Sequence, residues 1–275
     1  MTNLFWLPAV FVFGLIIGSF LNVVIYRFHT GKSLNGHSHC LSCTKRLRWY
    51  ELLPVVSYLA LRGRCSGCGS YIPTRYLWVE LITGLLFVFG FLTQLPVFWP
   101  LTAAVIMILV IITVYDLRHL IIPDSLVVAL AILALAWQLF TSYLLGWDLS
   151  ILLDALWGGV TLSLPLFLVW LLSFGRAMGL GDPKLALPLG FLLGNWSAGL
   201  TALILSFWIG AAISILLLAY QELLKQGKKR LAFPCSQLTM KSEVPFAPFL
   251  ISAFLVTWLL GINSIFTFIN YVWQF

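Results

Sequence analysis

Two cysteine pairs, Cys40-x2-Cys43 and Cys65-x2-Cys68, and three aspartates beside apolar runs, Asp116, Asp124 and Asp182, are the residues here whose type and spacing suggest chemistry. A Cys-x-x-Cys knuckle sets two thiolates about one tight turn apart, and two knuckles together supply the four ligands of a tetrahedral zinc. Glycines 67 and 69 ease the turn of the second knuckle, and a loop absorbs the 21 residues between the pairs. Two disulfides are the competing reading; a cytosolic setting keeps thiols reduced and favours the metal. His37 and His39 adjoin the first knuckle and are alternative ligands. Four thiolates leave no open position for water, so the zinc is expected to be structural. Cys235, the fifth cysteine, stands by itself in another loop and reads as a bystander.

The aspartates stand out from a census of nine acids. Asp148 and Asp154 are expected at the outer face, where Asp154 begins a helix and reads as a first-turn acid. Glu51, Glu80, Glu222 and Glu243 adjoin loops rich in Arg and Lys and read as solvated or ion-paired. Asp124 in "IIPDSLVV" is placed to cap a helix, and Asp182 could do the same with Pro183 at the first helical position. Asp116 has no such explanation. It closes the run "VIMILVIITVYD", at a helix C-terminus where the macrodipole disfavours negative charge. An ionisable group set there marks a functional candidate, with pairing to Arg118 or His119 as the alternative. Two carboxylates on neighbouring helix ends would share a proton, and such a pair can hydrolyse a peptide by acid–base catalysis. Gly179 and Gly181 would let a substrate backbone approach Asp182, and Lys184 is close enough in sequence to position substrate or tune the pair. No HExxH or GxSxG occurs to support zinc-protease or serine-hydrolase chemistry.

The elements that must position these residues are membrane helices. The chain is 61% hydrophobic and 9% charged with a mean hydropathy of +1.01, which a soluble domain of 275 residues does not reach. Continuous rather than alternating apolar runs argue against a barrel. The fold class expected is an all-α polytopic membrane protein of about eight transmembrane helices. The runs lie at 4–26, 76–93, 99–115, 125–145, 151–174, 185–195, 198–223 and 246–269. The sixth, about eleven residues, is only about 16 Å of helix, so it is either a short tilted span or a re-entrant piece. The expected organisation is a first transmembrane helix at 1–26, a cytosolic tetracysteine zinc loop at 27–75, and a transmembrane domain at 76–275.

All sixteen Lys and Arg residues fall in alternate loops, eight of them between 27 and 75. The positive-inside rule then places those loops in the cytosol and both termini outside, provided the sixth segment crosses. The net charge of +7 is accounted for by topology and anionic lipid, so no nucleic-acid partner is expected. The N-terminal run has no basic residue ahead of it and reads as an uncleaved span rather than a signal peptide.

Taken in order, the motifs resemble those of the bacterial type IV prepilin peptidases, also called prepilin leader peptidase/N-methyltransferases, of the GxGD aspartyl protease class. "GSFLNVVIYR" (18–27), the two knuckles around "RWYELLPVVSYLALRGRC", "RYLWVEL", "YDLRHLIIPD" (115–124), "GLGDPKL" and "EVPFAPFL" (243–250) carry the likeness over nearly the whole chain. Ala247 stands where the family usually has glycine. The resemblance implies catalytic roles for Asp116 and Asp182. Its substrates are prepilins or type II secretion pseudopilins, cut at the inner membrane face, usually after a glycine. It further implies methylation of the new N-terminus by S-adenosylmethionine, placed by the family with the cysteine loop. The sequence shows no glycine-rich signature for that donor, and Gly63 and Glu80 are candidates only. A GxGD membrane protease without methyltransferase activity is one alternative. A non-enzymatic transport or secretion-assembly protein is the other, though its ionisable groups would be expected nearer the bilayer midplane.

Overall fold

A computed structural model describes residues 2–28, 36–226 and 245–261. The segments 29–35, 227–244 and 262–275 fall outside it, and with them His29, Cys235, Glu243 and most of the basic cluster at 225–241. Among the described residues the chain is helical, and its only β-pairing is two isolated bridges. The helices are α1 (Thr2–Arg27), α2 (Val56–Ala60), α3 (Arg75–Thr93), α4 (Trp99–His119), α5 (Asp124–Leu144), α6 (Leu149–Leu172), α7 (Gly181–Leu193), α8 (Trp196–Gln226) and α9 (Ala247–Leu259). Six segments are long and apolar enough to cross a membrane: Phe5–Arg27, Arg75–Thr93, Pro96–His119, Asp124–Leu144, Leu149–Leu172 and Trp196–Tyr220. Of the other two expected runs, 185–195 forms α7, 13 residues or about 20 Å of helix against a core of about 30 Å, while 246–269 forms α9 in its described part and its residues 262–269 lie outside the described residues.

The chain divides into two compact units, Met1–Tyr115 and Asp116–Phe275. In the first, α1 and α3 pack through small residues. A Cβ on Gly14 would lie 2.8 Å from the Gly84 Cα, and one on Gly18 would lie 2.8 Å from the Glu80 Cα. Close backbone approach of this kind is how helices gain contact in lipid, where apolar side chains have no reason to leave the solvent. Phe87 and Phe91 then meet Trp99 edge to face, fixing α3 beside the start of α4. Between α1 and α3 the loop folds on its two knuckles, with bridges His39–Arg46 and Arg64–Tyr71 closing each one.

The second unit is built around α7. Leu185, Ala186 and Leu189 are fully buried there, and the helix packs against α5, α6, α8 and α9. The closest approach is to α6, where a Cβ on Gly158 would sit 2.5 Å from the Gly190 carbonyl and 2.8 Å from the Asn195 carbonyl. Elsewhere α6 turns Leu153, Leu156, Trp157 and Leu164 outward, the all-round apolarity of a lipid-facing helix.

Several local expectations are corrected. Helix α6 begins at Leu149, capped by Asp148, whose carboxylate accepts the Ser150 N–H at 2.9 Å. Asp154 therefore lies beyond the first turn, because the more N-terminal acid takes the cap. Neither Asp124 nor Asp182 caps its helix. The N-cap positions are Pro123 and Leu180, and both carboxylates fall inside the first turn instead.

The α6–α7 contact leaves no room for a side chain. Gly158→Ala is expected to destabilise the protein by about 1–3 kcal/mol through overpacking, read as a lower thermal midpoint in detergent micelles.

Candidate active site and cysteine centre

Asp116 occupies the last turn of α4. It is 5% exposed, and its Oδ2 is buried with no hydrogen-bond partner among the described residues. The helix stops just beyond it. Leu120 adopts a left-handed backbone with φ 53°, and its N–H returns to the Asp116 carbonyl at 2.8 Å. Arg118 is exposed and makes no ion pair with Asp116 among the described residues.

Asp182 enters from α7. Pro183 follows it in the first turn, where a missing N–H costs nothing because that N–H would have no helical partner. The buried Ser163 hydroxyl, from α6, donates to the Pro183 carbonyl at 2.8 Å and pins that turn. At the other end Gln138 Nε2, from α5, donates to the Phe191 carbonyl at 2.7 Å, and Gly194 closes the helix with φ 81°. Gly181 packs toward Ile122, to which a Cβ would come within 3.3 Å, so the chain leaving α4 lies against the start of α7. The two carboxylates thereby interact. Burial first, and the negative charge of Asp116 second, push the half-buried Asp182 carboxyl up to about 7. A like-charged pair of this kind can hold one proton between its members, providing an acid and a base in one place.

Gly179 is exposed, and a Cβ there would meet only the Gly181 nitrogen at 3.9 Å. Lys184 turns to Asp124, with Nζ 3.0 Å from Oδ1, in an exposed bridge between α7 and α5.

In the first unit, the sulfurs of Cys40, Cys43, Cys65 and Cys68 all lie within 4.8 Å of one another, with Cys40 Sγ and Cys68 Sγ 3.9 Å apart. A tetrahedral zinc with bonds of about 2.3 Å needs sulfurs about 3.8 Å apart, so the cluster fits that ion. The knuckles repeat one geometry. The N–H groups of Ser42 and Gly67 point at Cys40 Sγ and Cys65 Sγ, each at 3.4 Å, and Thr44 and Gly69 take left-handed backbones one residue beyond Cys43 and Cys68. His37 and His39 are not part of the cluster. Glu51 ties the halves together: it is 8% exposed, pairs with Lys45 Nζ at 3.0 Å, accepts the Arg48 N–H at 2.8 Å and is hydrogen-bonded by Ser66. The Arg48 N–H, then Ser66 and Lys45, pull its carboxyl down to about 2.

Comparison with known proteins decides the lineage. Residues 12–94 match the Bacterial Peptidase A24 N-terminal domain, and residues 103–215 match the Type IV leader peptidase family. The prepilin leader peptidase/N-methyltransferase of Stutzerimonas stutzeri is 34% identical over 244 residues, covering 77% of this chain and 81% of its own length. The chain belongs to the type IV leader peptidase family. Two further family members of the same name, from Aeromonas hydrophila and Myxococcus xanthus, are 37% and 40% identical over 76% of this chain. The match covers 81% of the former's length and 62% of the latter's. No solved structure matches the chain significantly. As a leader peptidase family member with six full-length apolar helices, it is a multi-pass protein of the inner membrane.

Among the positions singled out in this family member, Asp116 and Asp182 come together, as do the four cysteines. Asp124 and Lys184 meet each other. Glu80 departs from its expected solvated or ion-paired state. It is 8% exposed, its Oε2 accepts the Val55 N–H at 2.8 Å, and it makes no ion pair among the described residues. The sequence did contain the signal: a carboxylate inside "RYLWVELITG" is an ionisable group within a membrane helix. Ser163 and Gln138 carried no such mark. A lone hydroxyl or amide in an apolar run reveals its partner only when the helices are packed.

Proposed function

We propose that this protein cleaves the basic leader from prepilins or pseudopilins with Asp116 and Asp182, then methylates the new N-terminus using S-adenosylmethionine. The observation that supports the first step is a buried carboxylate at the end of α4 whose negative charge reaches a half-buried one at the start of α7. The family membership, and the names of relatives that align over most of their own lengths, support both steps.

In the proposed chemistry the pair holds one proton. The ionised carboxylate takes a proton from water, whose oxygen adds to the scissile carbonyl, while the other carboxyl donates its proton to the carbonyl oxygen. Collapse of the tetrahedral intermediate breaks the C–N bond, and the leaving amine receives a proton from the pair. The open backbone at Gly179 and Gly181 gives the substrate strand its approach beside Asp182. Lys184, anchored by Asp124, holds positive charge at the mouth of the site and positions the substrate chain. The site lies at the cytosolic face, with both termini outside, in keeping with the loop charge pattern. There the apolar segment of a prepilin would stay in lipid while its basic leader remains in the cytosol.

Cys40, Cys43, Cys65 and Cys68 would hold the zinc, which when bound supplies a cross-link that folds the loop. Four thiolates in closed tetrahedral array suit a structural ion.

Asp116→Asn and Asp182→Asn, made separately, are each expected to lower prepilin cleavage in membranes by about 10³-fold or more. Asp124→Asn, which breaks an exposed bridge, should retain most of the activity. Near-normal cleavage by either of the first two variants would remove the dyad.

The raised Asp182 carboxyl keeps its proton below about 7 and loses it above. Cleavage should therefore fall as pH rises past 7, by about tenfold per unit once deprotonation dominates. A rate that stays flat from pH 6 to 9 contradicts a proton shared at this site.

For the metal, elemental analysis of purified protein should find one zinc per chain, and Cys65→Ser should lose it. Methylation should suffer at least as much as cleavage. A zinc-free wild-type protein with an intact loop would exclude the centre.

A further inference from the structure

We infer that Ser163 is the positioning residue of the carboxylate pair: by holding the α7 turn that carries Asp182, it sets how Asp182 stands toward Asp116. The inference rests on the aspartyl reading above and adds to it a residue that lies in neither aspartate motif.

Ser163 uses its hydroxyl in an uncommon way. Buried hydroxyls in apolar helices usually donate to a carbonyl about one turn back. Thr83, Thr102, Thr201, Ser206 and Thr257 all do so within their own helices. Ser163 forgoes that bond. It crosses from α6 to α7 and donates to the Pro183 carbonyl at 2.8 Å, one residue past Asp182. Its neighbours Leu162 and Leu166 are fully buried, so packing alone would accept an apolar residue there. The hydroxyl is explained by what it bonds.

The turn it reaches is poorly held by its own helix. Leu180, at the N-cap, contributes no side-chain hydrogen bond, and the Lys184 N–H meets the Leu180 carbonyl at a long 3.3 Å. Pro188, one turn further on, has no N–H, so the Lys184 carbonyl loses its helical donor. Ser163 supplies from outside the restraint that the local sequence withholds. It is the last rung of a seam between α6 and α7. Gly158 lies against the Gly190 carbonyl, a Cβ on Gly159 would come within 3.0 Å of the Leu187 carbonyl, and Ser163 reaches Pro183. Gln138 bonds the Phe191 carbonyl at the other end of α7, nine residues or about 14 Å of helix from Asp182. Gln138 therefore holds the helix, whereas Ser163 holds the turn.

Few charges surround that turn. Asp116 acts on Asp182 from the end of α4, while Lys184 and Asp124 pair with each other. Within α6 the only acid is Asp154, near its start; α8 carries no charge before Glu222, and α9 carries none. Loosening the turn thus changes two things at Asp182, its burial and its distance from Asp116. Both now raise its carboxyl, so loosening lowers it.

The test follows leader cleavage by the purified full-length protein as a function of pH, alongside its thermal midpoint. Ser163→Ala is expected to lower kcat by about 10- to 100-fold with KM within about twofold. It should also move the high-pH fall in rate downward by about half a pH unit or more. Ser163→Thr, which keeps the hydroxyl, should restore both. Ser163→Cys keeps the volume with a weaker donor and should show the same two effects, which covers an alanine variant that does not fold. Gln138→Met should lower the thermal midpoint and leave the high-pH fall in place. Wild-type kcat and pH dependence in the alanine or cysteine variant, or an equal displacement in Gln138→Met, overturns the role of Ser163 while leaving the aspartates intact. Near-normal cleavage by Asp182→Asn would overturn the aspartyl reading and this inference together.

Discussion

The repulsion between two carboxylates is the constraint around which the second unit is organised. Asp116 and Asp182 would be easier to fold apart, one being buried with an unsatisfied oxygen and the other half-buried beside it. Helix polarity compounds the difficulty on one side and relieves it on the other. The C-terminal end of α4 is unfavourable for Asp116, whereas the N-terminal end of α7 favours Asp182. Only a rigid frame can hold such a pair. The frame consists of the Ser163 and Gln138 hydrogen bonds at the two ends of α7 and the glycine-to-backbone contact with α6. Its parts are all local to a helix too short to be steered by the bilayer alone.

That frame explains what could and could not be read from the sequence. Long apolar runs announced the six full-length helices because lipid imposes length and composition residue by residue. The cysteine spacing announced the tetrahedral cluster because knuckle geometry is local. Asp116 could be singled out because its position defies the helix dipole, a conflict visible in one dimension. Its pairing with Asp182, 66 positions later, was suggested by the census of acids at helix ends and reinforced by resemblance to a family. Helix packing sets that meeting, and no periodicity encodes it. The caps were misassigned for a related reason. Asp124 and Asp182 each precede an apolar run as a capping residue would, yet the helices start far enough back to take both inside. The sequence marks where a helix can begin more readily than where it does.

Charge is handled differently in the two units. In the knuckle loop Glu51 is surrounded by donors and drawn down to about 2, so it remains an anion and serves as a fastener between the cysteine pairs. In the second unit Asp116 and Asp182 lack such donors among the described residues, and the proton becomes the variable. The same side-chain chemistry thus yields a fixed strut in one place and a titrating group in the other. Glu80 shows a third arrangement, a buried carboxyl that accepts the Val55 N–H and lines a cavity of the first unit.

The division of the chain at Tyr115 and Asp116 has an evolutionary consequence. The four cysteines, Glu80 and the cavity lie on one side of it, and both aspartates lie on the other. The boundary falls inside α4, however, so the first unit supplies most of the helix whose last turn carries Asp116. Selection on the carboxylate pair therefore reaches back across that boundary into α4, and the two stretches of sequence are not free to drift independently.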